Sequence, residues 1–177
     1  AELALLESIA DLLPEGVIGS EPVMAPASGA RQLDRKNLRR ASALLDEAGW
    51  LVGDDGMRRK NGKLLSVEFL EDSPTFDRVI NPYVDNLQAL GVNAILNRVD
   101  PAQATKRTRE KDFDIVVDQF PMGFEPGSGL KQYFGSQGAE QSVFNSASLK
   151  SPAVDALIEV VQNAETKDAL NVAIRAL

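Results

Sequence analysis

Cysteine and histidine are both absent from this 177-residue sequence. Zinc sites therefore lack their usual ligands, and nucleophilic catalysis by a thiol or with a histidine base is excluded. An enzyme would have to use carboxylate, lysine or tyrosine chemistry, and no such cluster stands out in the sequence. We therefore expect a protein that is not an enzyme and that has no metal and no cofactor.

Long apolar runs and phosphate-binding motifs are missing as well. No run approaches the ~18 residues of a membrane span. Neither G-x-x-x-x-G-K-[ST] nor G-x-G-x-x-G occurs, which disfavours nucleotide binding. The net charge of −7 disfavours nucleic acid as a partner and weakly favours cationic or amine-bearing ligands.

Strand and helix patterns alternate through the middle of the chain. Three strands and two intervening helices are predicted: strands Leu64–Glu71, Val92–Val99 and Phe113–Asp118, with helices at 76–90 and 102–111. Crossovers this short imply parallel strands in right-handed βαβ units. Pro82 predicts a kink or a late start in the first helix. The fold class is therefore α/β, with a parallel βαβαβ core.

A β-hairpin and peripheral helices flank this core. Asn61-Gly62, between Met57–Lys60 and the run that begins at Lys63, is typical of a type I′ turn. A helix is predicted from Asp34 to a glycine end at Gly49, followed by Trp50. Further helices are predicted to begin after Ser151 and Thr166.

The two ends of the chain lead to a division into two regions. Residues 1–33 predict a short helix followed by an irregular, proline-containing linker. Residues 34–177 predict the α/β lobe. Since no Met or signal peptide precedes Ala1 and the last helix stops at Leu177 without a cap, we expect a fragment of a longer protein, truncated at its C-terminus.

The segment after the third predicted strand, D-Q-F-P-M-G-F-E-P-G-S-G, has the composition of a binding loop. In open α/β sheets, ligands bind beyond the carboxyl ends of the strands. Aromatic rings, glycines and carboxylates together suit an extended peptide, whose main chain needs partners and whose amino group needs an anion. The alternative is that both Phe fill the core and the glycines only shape a turn. The candidate ligand-binding residues are Asp118, Phe120, Met122, Gly123, Phe124, Glu125 and Ser128.

A second hypothesis is a receiver-like regulatory or catalytic α/β domain. It would require a magnesium-supported acidic pocket formed by Glu71, Asp72 and Asp118 at the strand ends. The alternative is that these three acidic residues lie in solvent at the ends of the strands.

Several motifs, in order, resemble the extracytoplasmic solute-binding proteins of peptide ABC transporters. The similarity covers roughly residues 34–177. The P-G-S-G-L-K-Q-Y-F-G-S run at Pro126–Ser136 resembles the subgroup that binds oligopeptides or microcin C-type antibiotics. The other matching motifs are A-L-L-D-E-A-G-W (Ala43–Trp50), the hairpin Asp54–Leu70, and the runs Pro82–Val92, Val99–Gln103, Asp112–Val116 and Ser151–Glu159.

The resemblance implies a three-layer lobe of the periplasmic-binding-protein-like II type, one of two lobes that close on a peptide. It also implies a periplasmic location, and a membrane permease and an ATPase as partners of the full-length protein. In several relatives an Asp in this loop holds the α-amino group of the peptide, but Met122 stands at the matching place here. Glu125 and Asp118 are our substitutes for that role. Because this fold hosts several ligands, a sugar or a metal chelate is a further alternative.

Overall fold

The computed structural model describes residues 1–20, 24, 26–27, 29, 33–123, 127–140 and 142–177. Contacts divide the chain into two compact units, Ala1–Val23 with Asp118–Leu177, and Met24–Val117. This division does not test the predicted domain boundary after residue 33, which stays a prediction.

The described residues form α-helices, short 3-10 turns and β-strands. The helices are α1 (Glu2–Glu7), α2 (Arg35–Glu47), α3 (Asp77–Ala89), α4 (Pro101–Glu110), α5 (Ser128–Phe134), α6 (Pro152–Gln162) and α7 (Lys167–Ala176). The strands are β1 (Leu51–Val52), β2 (Arg58–Lys60), β3 (Lys63–Leu64), β4 (Ser66–Glu71), β5 (Asn93–Arg98) and β6 (Ile115–Val116). The 3-10 turns are Ala10–Leu12, Pro74–Phe76 and Ser136–Gly138.

The core of unit Met24–Val117 is a parallel sheet with strand order β5-β4-β6. Chain order β4-α3-β5-α4-β6 confirms the predicted parallel βαβαβ arrangement. Apolar residues of β4, α3 and β5 pack together because alternate strand residues and one helix face point the same way. The buried cluster consists of Phe69, Ile80, Val84, Val92 and Ala94.

A separate antiparallel sheet, β1-β2-β3, contains the predicted hairpin. Asn61 and Gly62 have φ of +52° and +78°, the positive values that a type I′ turn requires. The predicted strand Leu64–Glu71 is divided at Leu65. The Leu65 N–H donates to the Arg58 carbonyl, and its own carbonyl accepts from the Asn93 N–H, both at 2.9 Å. Leu65 is therefore the residue at which the chain passes from one sheet to the other.

The helices begin and end at the predicted caps. The exception is the late start that Pro82 predicted for the helix that contains it. Gly49, with φ +83°, ends α2 in a Schellman motif, in which the Trp50 N–H donates to the Leu45 carbonyl at 2.9 Å. Helix α3 begins before Pro82 and continues through it, so a late start is wrong. Pro82 removes one helical hydrogen bond, but Ile80 and Val84 on either side are buried in the core and hold the helix in place.

Strand β6 is much shorter than the predicted Phe113–Asp118 run. At each end of β6, a side-chain carboxylate accepts a hydrogen bond from a backbone N–H group in place of a backbone carbonyl. The Asp114 Oδ2 accepts from the Glu68 N–H at 2.9 Å, and the Glu71 carboxylate accepts from the Val117 N–H. Only Ile115 and Val116 therefore pair with β4 through the backbone.

The other unit has a helical core formed by α5, α6 and α7, against which Leu5 of α1 packs. The buried cluster in this core consists of Leu130, Ile158, Val161 and Ala173. The Ser151 and Thr166 hydroxyls accept from the first-turn N–H groups of α6 and α7, which confirms the two predicted helix starts.

Arg58 is the buried polar centre of unit Met24–Val117, with 1% of its surface exposed. Its Nε donates to the Leu90 carbonyl at 2.6 Å, and its Nη1 donates to Asp46 Oδ1 at 2.6 Å and to the Trp50 carbonyl at 2.5 Å. Its Nη2 donates to the Ser42 hydroxyl at 2.6 Å. One guanidinium thus joins the hairpin to α2 and to the end of α3.

Replacing Arg58 by Met should lower the free energy of unfolding by about 2–4 kcal/mol, because buried carbonyl and hydroxyl groups lose their donors. The matched control is Arg59→Met in the same strand, since Arg59 makes only an exposed ion pair with Asp55. Urea unfolding of both variants measures the difference. Equal losses would show that the Arg58 contacts do not stabilise the fold.

Candidate ligand-binding site

The segment after β6 is largely exposed where the structure describes it. Asp118, Phe120, Met122 and Gly123 are all exposed, with 38% of Phe120 and 46% of Met122 accessible. The predicted site residues Phe124 and Glu125 lie outside the described residues, and Ser128 is described only as the first residue of α5. The alternative in which Phe120 fills the core is therefore wrong.

The glycines of this segment do not adopt the positive φ values that only glycine takes up readily. None of Gly123, Gly127 and Gly129 has a positive φ. A Cβ added at Gly123 or Gly127 would meet no described atom within 4 Å. A Cβ added at Gly129 would lie 3.7 Å from the Tyr133 ring and 3.9 Å from Met122 Cγ, which is ordinary van der Waals contact. Gly123 and Gly127 therefore border open space, and Gly129 does not.

Asp118 is anchored by a neighbouring loop. Its Oδ2 accepts from the Ser146 hydroxyl at 2.6 Å, and Ser146 is itself buried. The preceding residue, Asn145, is fully buried. Its amide nitrogen donates to the Gly135 and Leu149 carbonyls, and its amide oxygen accepts from the Leu149 N–H. These bonds tie the loop 142–149 to the end of α5 and to the start of the candidate segment.

Four aromatic rings, Phe120, Tyr133, Phe134 and Phe144, form what we call the aromatic cluster. The Phe120 ring lies 5.4 Å from Tyr133 at 74° and 5.2 Å from Phe134 at 46°. Tyr133 also contacts Phe144, with centroids 6.1 Å apart at 79°. The pairs of Tyr133 with Phe120 and Phe144 are edge-to-face, the Phe120–Phe134 pair is tilted, and all three centroid distances are those of stabilising ring pairs. The cluster is the largest aromatic contact among the described residues, and Phe144 is 48% exposed within it.

The sequence predicts Phe120 as a candidate ligand-binding residue. It gives no such prediction for Tyr133, Phe134 and Phe144, the other three members of the aromatic cluster. Tyr133 and Phe134 are the last two residues of the short helix α5. Phe144 has a weak signal, because Val143-Phe144 is an apolar pair in the otherwise polar run Q-S-V-F-N-S-A-S. The three missed rings reach Phe120 only through tertiary contacts.

The acidic residues have structural partners and do not converge. Asp112 pairs with Arg107, Asp114 with the Glu68 N–H, and Asp118 with Ser146. Within the described ranges, no group of three or more acidic side chains could hold a metal ion. The acidic pocket required by the receiver-like hypothesis is therefore not formed there.

Comparisons with known proteins show the family of the chain. The family model "Bacterial extracellular solute-binding proteins, family 5 Middle" matches residues 7–141. A probable peptide-binding protein of Agrobacterium fabrum, YejA, is 39% identical over 99% of this chain. The chain spans only 29% of the length of that relative.

Solved structures show the same fold. The oligopeptide-binding protein AppA of Bacillus subtilis, solved with a nonapeptide, matches 99% of this chain and 36% of its own at a TM-score of 0.63 and 16% identity. A periplasmic oligopeptide-binding protein of Thermotoga maritima, solved with mannohexaose, matches 78% of this chain and 28% of its own at a TM-score of 0.65 and 20% identity. The fold is therefore that of the periplasmic-binding-protein-like II type. None of the helices in the described ranges combines the length and apolar character of a membrane crossing.

Glu71 should make stability depend on pH. Burial at the end of β4 raises its pKa above 4.5, although Arg98 opposes the shift. Between 4.5 and the higher native pKa, the folded protein holds a proton that the unfolded chain releases, so stability falls as pH rises through this window. Glu71→Gln should remove that part of the pH dependence in urea unfolding.

The matched control for this experiment is Glu165→Gln, at an exposed position outside both sheets. This variant controls for the loss of one carboxyl group from the chain. A Glu71→Gln protein with the wild-type slope would contradict the assignment of this proton to Glu71.

Proposed function

Because this chain belongs to family 5 of the bacterial extracellular solute-binding proteins, we propose that the full-length protein is the substrate-binding component of an ABC transporter for oligopeptides. The observation that carries the proposal is the aromatic cluster, in which Phe120 and Phe144 are exposed, at the segment after β6. The name of the Agrobacterium fabrum relative, a probable peptide-binding protein, supports the same ligand class.

The ligand contacts of this lobe come from the segment after β6. The proposed residues are Asp118, Phe120, Met122, Gly123, Phe124, Glu125 and Ser128. Phe120 and Met122 supply apolar surface for side chains of the ligand. Asp118 is exposed, and although its Oδ2 accepts from the Ser146 hydroxyl and its Oδ1 accepts from the Gln119 N–H, each carboxylate oxygen can accept a second hydrogen bond from an amine. Met122 carries no charge, so Asp118 and Glu125 are the acids proposed for amine capture.

The protein works by binding and release without chemical conversion of the ligand. This chain forms one lobe, and closure against a second lobe excludes water and completes the affinity. The partners are a membrane permease and an ATPase, and the location is the periplasm. The regulatory alternative has no support in the described residues, since its acidic cluster is not formed.

Replacing Phe120 by Ala in the full-length protein should weaken binding of a peptide pool by about 1–2 kcal/mol, because the ligand loses a ring contact. The free energy of unfolding should fall by about 1–2 kcal/mol, since the variant loses the ring contacts with Tyr133 and Phe134 but no fully buried side chain. Isothermal titration and urea unfolding measure the two quantities.

Phe69→Ala is the contrasting variant, since Phe69 is in the core at 5% exposure. It should cost about 3–5 kcal/mol of stability. A Phe120→Ala protein that loses several kcal/mol of stability, or that binds the pool as tightly as wild type, would exclude Phe120 from the ligand site.

A further inference from the structure

Phe144 is held at the surface by buried neighbours. Its N–H donates to the Ser142 hydroxyl at 3.1 Å, and the next residues, Asn145 and Ser146, have 0% and 8% of their surface exposed. A loop whose backbone is fixed in this way does not expose a phenyl ring by fraying. The exposed ring of Phe144 is therefore a feature of the folded loop.

Tyr133 lies between two rings that meet it edge to face. Phe120 and Phe144 are inclined to it by 74° and 79°. An aromatic ring of a ligand can pack edge to face against these rings, because an aromatic ring makes favourable contacts through both its edge and its face. Tyr133 also carries a hydroxyl group, which can donate to or accept from a ligand.

We infer that Tyr133 and Phe144 contact the ligand and that, with Phe120, they hold an aromatic side chain of a bound peptide. This inference rests on the proposed function, and it names the side-chain class that this lobe prefers. The three side chains are uncharged, so a charged ligand side chain would lose hydration there without gaining a partner from them. An aliphatic side chain gains burial but no ring contact.

The experiment uses the full-length protein and alanine tetrapeptides that carry a single Phe, or a single Leu, at each of the four positions. Isothermal titration gives the preference for Phe over Leu at each position. Wild type should bind the Phe peptide about 3- to 10-fold tighter than the Leu peptide at one position, as expected for one added ring contact.

Phe144→Ala and Tyr133→Ala should reduce this preference to about 1, while Tyr133→Phe should retain it, because the ring remains. Phe144→Leu keeps apolar area without a ring, so it should also lose the preference and remain folded. Val160→Ala, at an exposed position on α6 outside the aromatic cluster, is the matched control and should keep the wild-type preference. Thermal unfolding verifies that each variant is folded.

Equal weakening of Phe and Leu peptides in the Phe144 and Tyr133 variants would overturn the inference, and so would a wild-type preference for Leu or no preference at all. In these cases peptide binding itself persists and the proposed function stands. If wild type binds none of the peptides at about 1 mM, a concentration that detects even weak affinity, the proposed function fails together with the inference.

Discussion

The aromatic cluster depends on the buried amide of Asn145. Its amide group bonds to the carbonyl of Gly135, at the end of the helix that carries Tyr133, and to both backbone groups of Leu149. The adjacent Ser146 then donates to Asp118, two residues before Phe120. A buried amide without partners would cost free energy, so these bonds are satisfied together or lost together. Three distant chain segments therefore present their rings as one surface.

A binding site needs apolar rings that are exposed and held in place, whereas a hydrophobic core needs rings that are buried. Burying Phe120 and Phe144 would stabilise the fold by the hydrophobic effect, yet both remain over a third exposed. A ring that is fixed before the ligand arrives loses little conformational freedom on binding. The polar anchors of the cluster thus link the fold of this unit to the affinity proposed for it, and the chain belongs to a family of extracellular solute-binding proteins.

The regular part of the fold was predictable because each element carries its own local signal. Asn61-Gly62 predicted the hairpin turn, Gly49 the end of α2, and the alternation of strand and helix the parallel sheet. The length of β6 was not predictable, since the Asp114 and Glu71 carboxylates replace backbone partners at its ends. For the proposed site, the composition of the segment alone predicted Phe120 and Met122, and their contact with a ligand stays a prediction. Tyr133 and Phe144 join it through Asn145 and Ser146, whose contacts are tertiary and leave no pattern in the sequence.

Photo-crosslinking tests most directly whether a peptide binds at the aromatic cluster. The full-length protein with p-benzoylphenylalanine in place of Phe120 is irradiated with a peptide pool, and mass spectrometry identifies covalent adducts. The account predicts peptide adducts at this position and none when the same group replaces Val160, which is exposed on α6. Absence of adducts at position 120, or equal labelling at both positions, would contradict it.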